Sequence, residues 1–213
     1  MTATGSRIPW IVGVSGASGT PYARAVLAAL AEAGQPVDLI VSRAARLTIL
    51  DETGRPFRDN HWQSDLADWL GREVGDVRHW PAGDLAGGPA SGSYRARGMV
   101  VVPASTAAVA GIALGLSKDL LQRAADVTLK ERRPLVVVPR ETPYARSTLV
   151  NLLALYDAGA TVLPASPAFY AGAADAQQLV DFVAAKILDR IGVEHSLITR
   201  WSGRLGQART EET

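Results

Sequence analysis

The sequence predicts a single α/β domain of flavodoxin-like or Rossmann-like architecture, three layers α/β/α around a mostly parallel sheet. Short β-branched runs such as MVVVP at 99–103 and LVVVP at 135–139 have the unbroken apolar character of strands buried on both faces. Helix-periodic segments alternate with them, and right-handed crossovers then put helices on both faces of the sheet. The loops 13–20, 42–52, 103–106, 139–142 and 164–170 all lie beyond strand ends. They converge on the carboxyl edge, where open α/β sheets bind their ligands.

Bulk composition narrows the function. A chain of 213 residues, 47% hydrophobic and 20% charged, suffices for one domain with a sizeable core. That domain is expected over 1–203, with the polar residues 204–213 as a frayed tail. Net charge is +1 from 22 basic and 21 acidic residues, so no broad field draws in nucleic acid or anionic lipid, and any phosphate site must be local. The absence of cysteine excludes a disulfide framework, thiolate catalysis and a Cys-based metal site. His61, His79 and His195 are scattered without an HExxH-like spacing, and no metal is expected. The opening MTATGSRIPW lacks the apolar core of a signal peptide. The uncharged stretch Met99 to Leu116 is interrupted by Pro103, Gly111 and Gly115, so it reads as a strand and a capped helix, not a membrane span. A cytoplasmic protein is expected.

The first strand, Ile8 to Val14, runs into GVSGASGTP with Gly13, Gly16 and Gly19 at every third position. Such a loop lets the backbone approach a ligand closely. Thr20 is expected as N-cap with Pro21 at the first helical position, opening a helix from Tyr22 to Ala33 whose free N–H groups favour an anion. The spacing is neither GxGxxG nor a P-loop. VDLIVS at 37–42 is the second strand, and a helix follows from Arg43, with Glu52 shortly after it. Taken alone, Glu52 reads as a solvated helix-end carboxylate.

Residues 54–98 say less. Trp62, Leu66, Trp69 and Leu70 mark one face of a helix, and 84–97 reads as an exposed loop. Met99 to Val102 is the third strand, with Ser105 and Thr106 at the mouth of the next helix, placed either to cap it or to cradle a phosphate. After LVVVP, a helix over 144–158 carries Leu149, Leu152, Leu153 and Tyr156 on one face. Ala160 to Leu163 is the fifth strand. The last helix runs from Ala174 to Ile191, and Gly192 closes it.

The segment from Arg123 to Glu141, RAADVTLKERRPLVVVPRE, organises the rest. Arg123, Asp126 and Lys130 form a polar helical stripe, Pro134 stops the helix, and the strand delivers Arg140 and Glu141 beyond its carboxyl end. This run, followed by Thr142-Pro143, resembles the UbiX-type flavin prenyltransferases, whose hallmark is RAADVxLKERRxLVxVPRE. The resemblance extends from about Val12 to Trp201 and includes GVSGASG, Pro103-Ala104-Ser105, the PASGSY segment at 89–94 and the closing Arg200-Trp201.

That resemblance implies a chemistry. A dimethylallyl group passes from dimethylallyl monophosphate to reduced flavin mononucleotide (FMN), at N5 and then C6, and the prenylated FMN serves a UbiD-type decarboxylase. It implies that Gly16, Ala17, Ser18, Ser42, Ser105, Thr106 and Arg140 hold the flavin. Arg123, Lys130, Arg140, Tyr170 and Lys186 would hold the donor phosphate and Trp201 would wall the pocket, while the i, i+3 and i, i+4 spacing lets Asp126 pair with both Arg123 and Lys130. Ser18, Glu52 and Glu141 would be catalytic. The family's oligomer, a dodecamer, would let Arg123 and Lys130 reach an adjacent subunit. The chain departs from the family in having Lys186 for arginine, Thr148-Leu149-Val150-Asn151 for a His-Leu-Glu-Asn type segment, and Lys118-Asp119-Leu120 for Asp-Asn-Leu. Two other activities fit the fold: a non-catalytic FMN or prenylated-FMN storage protein, and a flavin-dependent cysteine decarboxylase. The latter needs a catalytic histidine that none of the three supplies.

Overall fold

The computed structural model describes residues 7–169 and 174–198. Its elements are β1 (Trp10–Val14), α1 (Thr20–Glu32), β2 (Val37–Val41), α2 (Arg43–Thr53), α3 (Trp62–Leu70), β3 (Val77–Pro81), β4 (Gly98–Ala104), α4 (Thr106–Ala113), α5 (Leu120–Lys130), β5 (Leu135–Pro139), α6 (Arg146–Asp157), β6 (Thr161–Val162) and α7 (Ala176–Arg190). The strands pair in parallel as one six-stranded sheet in the order β3-β2-β1-β4-β5-β6. The chain winds outward from β1 in one direction and then from β4 in the other, which puts the topological switch point between those two strands.

Strand alternation decides the two cores. Val12, Val14, Leu39, Val100, Val102 and Val136 face a layer that includes α1, α3 and α7. Ile11, Ile40, Met99, Val101, Leu135 and Val137 face α4 and α5, with Leu155 of α6. Every residue of β1, β2, β4 and β5 is buried, as expected of strands covered on both faces.

The sixth strand, β3, is the one the sequence reading lacks. VRHWP sits at the sheet edge with none of its five residues fully buried, so it carries Arg78 and His79 where an inner strand carries valine. His79 is held there, with Nε2 against Asp59 Oδ1 at 2.7 Å and Nδ1 against the Leu39 carbonyl at 3.2 Å. The stretch 99–116 is a strand and a helix, and no described helix is long and apolar enough to cross a membrane.

A second difference concerns α6. Leu149, Val150, Leu153 and Tyr156 are 52%, 48%, 60% and 68% exposed, while the buried residues of this helix are Thr148 and Leu155. Its apolar stripe faces away from the chain's own core.

The 88–94 segment is a tethered strap, not a free loop. Arg133 donates to the carbonyls of Tyr94 and Gly92 at 2.7 and 2.8 Å, and Arg123 Nε donates to Ala90 O at 3.1 Å. The Tyr94 hydroxyl donates at 2.6 Å to Asp38, a fully buried carboxylate in β2 that also accepts from Arg7 at 2.6 Å.

Candidate functional site

The site lies where the ends of β1 and β4 part. Ser15, buried just past β1, donates its hydroxyl to Pro103 O at 2.8 Å and accepts the Ser105 N–H at 2.7 Å. One side chain thus ties the two strand ends across the switch point. Beyond it, Gly16 passes so close to α2 that an added Cβ would overlap the Ala44 methyl. The glycine is needed for that approach. Ser42 Oγ accepts the Ala45 N–H at 3.1 Å and Ser105 Oγ accepts the Ala108 N–H at 3.2 Å, so both serines are N-caps, of α2 and α4.

Between these helix starts is a cleft of about 180 Å³ lined by Ser15, Gly16, Ser42, Arg43, Ser105 and Gln122, among others. Helix starts present partial positive charge and unpaired N–H groups, and Arg43 adds a full charge at the rim. The donor set fits a phosphorylated flavin: backbone N–H groups and hydroxyls for the phosphate and ring carbonyls, and a glycine where a flat ring must pass. Thr106 begins α4 beside Ser105, and Ala17 is buried beneath the loop.

Glu52, from the last turn of α2, reaches the start of α1. Its Oε1 accepts the Gly19 N–H at 2.9 Å, and its Oε2 accepts the Thr20 N–H at 2.9 Å and the Thr20 hydroxyl at 2.6 Å. The Ser18 hydroxyl is a further partner. Burial pushes the carboxyl toward its neutral form, but the hydrogen bonds from Ser18, Thr20 and the two backbone amides outweigh it, and the net pKa is lowered. The expectation that Thr20 caps α1 is corrected here. Gly19 occupies the cap position with φ 108°, a conformation that favours glycine, and the carboxylate that serves the helix start comes from α2.

Arg140 and Glu141 arrive from β5. Arg140 Nε donates to the Ser18 carbonyl at 2.9 Å, which brings this cation onto the glycine loop. Glu141 is exposed and its Oε1 accepts the Thr142 N–H at 2.9 Å. The Tyr144 phenol beside it is pushed up by burial and by the Glu141 charge.

The remaining cations stand apart from this cluster. Arg123 pairs with Asp126 at 3.1 Å, but Lys130 pairs with Glu131 at 2.6 Å, so Asp126 does not hold both as the helical spacing suggested. Both cations border the strap at 88–94. Lys186 is exposed on α7, about 15 Å along the axis from the helix start, and no described hydrogen bond or ion pair joins it to the cluster. Tyr170 and Trp201 lie outside the described residues. Among the described residues no group of His, Asp or Glu side chains gathers as a metal site requires. Ser15 and Gln122 are contributors that the sequence did not single out; for Ser15 the small polar residues of GVSGASGT were the available signal.

The Flavoprotein family model matches residues 2–188. The flavin prenyltransferase UbiX of Streptomyces coelicolor is 66% identical, over 95% of this chain and 99% of that protein. The crystal structure of AnUbiX (PadA1) in complex with FMN and dimethylallyl pyrophosphate superposes with a TM-score of 0.83 at 36% identity, covering 93% of this chain and 99% of that one. A dodecameric FMN-dependent UbiX-like decarboxylase from Escherichia coli O157:H7 superposes with a TM-score of 0.82 at 39% identity, over 92% and 100% of the two chains. The switch-point cleft, the glycine loop with its carboxylate and the Arg-Glu strand end thus sit on a chain that belongs to the UbiX flavin prenyltransferase family of flavoproteins.

Proposed function

We propose that this protein is a flavin prenyltransferase that joins the dimethylallyl group of dimethylallyl monophosphate to N5 and C6 of reduced FMN, releasing phosphate. The observation that carries the reading is the Arg140–Ser18 hydrogen bond. It brings a cation, the serine of the glycine loop and, through that loop, Glu52 together at one edge of the sheet.

Bound reduced FMN supplies the nucleophilic N5 and C6. The chain's own residues do the rest. Gly16, Ala17, Ser18, Ser42, Ser105 and Thr106 hold the flavin at the switch point, and Arg140 neutralises charge on the departing phosphate. Glu141 assists proton movement as the second bond forms, and Glu52 with Ser18 takes the N5 proton. Arg123 and Lys130 complete the phosphate site from a neighbouring copy, and Lys186 adds a further cation to it. The solvent-facing stripe of α6 supports a homo-oligomeric enzyme. The product, prenylated FMN, would go to a UbiD-type decarboxylase in the cytoplasm.

The test is anaerobic incubation with reduced FMN and, in separate vessels, dimethylallyl monophosphate or dimethylallyl pyrophosphate. The expected result is a flavin heavier by one C5 unit in mass spectrometry, formed from the monophosphate. Unmodified flavin in both vessels, with FMN still bound, would instead make this a storage protein.

A further inference from the structure

Gln122 of α5 lines the cleft at the switch point, and its place in the helix explains only half of its side chain. Asp119 caps α5, with Oδ1 accepting the Gln122 N–H at 2.9 Å, and Gln122 Oε1 accepts the Lys118 N–H at 3.2 Å. The two side chains serve the helix start together, in the manner of a capping box. A backbone N–H can be met only by the amide oxygen, so this bond also fixes which way the amide is turned. The hydrogens on Nε2 have no partner among the described residues. Capping uses none of them, and a glutamate would cap as well.

The amide also has a seat made for it. Gly111 is buried inside α4, and a Cβ there would overlap the Gln122 amide group. Glycine is unfavourable within a helix, so what this position provides is room for that amide. Asp119 lines the same cleft, and no described residue bonds its Oδ2. The α5 wall therefore offers a donor and an acceptor side by side. A phosphate or a ring carbonyl only accepts, and an anion would be repelled by Asp119. A hydroxyl can accept from the amide and donate to the carboxylate at once. The positive side of the cleft, at Arg43 and the starts of α2 and α4, is left for the phosphate.

We propose that Gln122 is a specificity-determining residue of the cleft: its amide nitrogen, seated on Gly111, donates to a hydroxyl of the flavin's ribityl chain, and Asp119 accepts from the same chain. This rests on the flavin-binding part of the reading given above. The ribityl chain is the part of FMN that carries uncharged hydroxyls, and so the part that gains from a donor beside an acceptor. The contact selects for that polyhydroxyl tail and leaves the phosphate to Arg43 and the helix starts.

The experiment compares wild type, Gln122→Met and Gly111→Ala by equilibrium titration with FMN, with riboflavin, and with lumiflavin, which has the ring but neither ribityl chain nor phosphate. Gln122→Met removes the amide at similar length. Gly111→Ala leaves Gln122 in the chain and displaces its amide while favouring the helix, so it decides the matter if the first variant fails to accumulate. In both variants affinity for FMN and for riboflavin is expected to fall by the same factor, about fivefold, the scale of one neutral hydrogen bond, with lumiflavin unchanged. A glutamine that only caps α5 would lower the melting temperature of Gln122→Met and leave every affinity at its wild-type value, and that result overturns the proposal. A loss for FMN alone would assign the amide to the phosphate, and a loss that extends to lumiflavin would assign it to the ring; either overturns it as well. Wild-type protein that binds none of these flavins would instead sink the flavin reading itself.

Discussion

Arg140 Nε donates to the carbonyl of Ser18 at 2.9 Å, so the chain just beyond β5 and the glycine loop after β1 form one unit. Replacing Arg140 by Ala removes a charge-assisted bond worth about 1.5–3 kcal/mol. FMN affinity, measured by fluorescence quenching, is expected to fall about tenfold or more. Arg140→Lys should recover little of it, because lysine has no counterpart of the Nε–H that makes this contact.

Glu141 points to solvent and takes only the neighbouring Thr142 N–H. Such a carboxylate holds no part of the fold together. Glu141→Gln is expected to keep the melting temperature and FMN affinity of wild type while slowing prenylated-flavin formation about a hundredfold or more, the scale of a lost proton-transfer group. Turnover at the wild-type rate would remove Glu141 from that role.

Glu52 gives a pH-dependent contribution to stability whose sign follows from its partners. Its folded-state pKa lies below the ordinary 4.5. The stabilisation is therefore fully present above that ordinary value and is lost as pH falls through the depressed one. Glu52→Gln should cost about 1 kcal/mol at neutral pH, as for a lost cap. The gap in melting temperature between the two proteins is expected to stay constant from pH 8 to about pH 5 and to narrow below it. A gap that widens on acidification would contradict the network seen at Gly19 and Thr20.

Much of this was readable in the residues themselves. The apolar runs that became β1, β4 and β5 could hardly be anything else, VDLIV breaks the pattern only at Asp38, and the Arg-Glu pair had to emerge at the carboxyl edge because LVVVP is a strand. β3 escaped because an edge strand tolerates Arg78 and His79, which breaks the apolar signal. The cap of α1 escaped for another reason. Its acceptor, Glu52, belongs to a different helix, and no local pattern reports a contact made only after folding. In α6 the periodicity of Leu149, Leu153 and Tyr156 correctly marked a face. Periodicity does not say whether the surface it meets is the chain's own.

Asp38 shows what an inner strand can conceal. Fully buried in β2, it accepts from Arg7 and from the Tyr94 hydroxyl, both at 2.6 Å, and so anchors the strap at 88–94. Burial and the bond to Asp38 push the Tyr94 phenol up to about 12, which keeps it a donor throughout the working pH range. Asp38→Ala leaves the Tyr94 hydroxyl without its acceptor and Arg7 with only Asp76 and the Val37 and Asp76 carbonyls, and is expected to cost about 3 kcal/mol. Tyr94→Phe removes one partner and should cost about 1–2 kcal/mol. Denaturant unfolding of the two variants checks the order, and wild-type stability in Tyr94→Phe would mean that the strap does not depend on this anchor.

Leu153 lies at the centre of the stripe on α6 and is 60% exposed, with Leu149 one turn before it and Tyr156 almost one turn after it. Scattered exposed leucines are ordinary, but side chains aligned on one helix face make a contiguous apolar surface of the kind that marks a protein contact. Under the proposed homo-oligomer, a second copy of the chain covers it. Leu153→Arg puts a charge at the middle of that contact, where a buried unpaired cation is costly. Native mass spectrometry and sedimentation should show the wild-type assembly giving way to smaller species, with self-association weakened at least tenfold, while circular dichroism stays that of a folded α/β protein. Val150→Arg, at the margin of the same stripe, should have a smaller effect. Wild-type assembly in Leu153→Arg would show that α6 faces solvent in the oligomer as well.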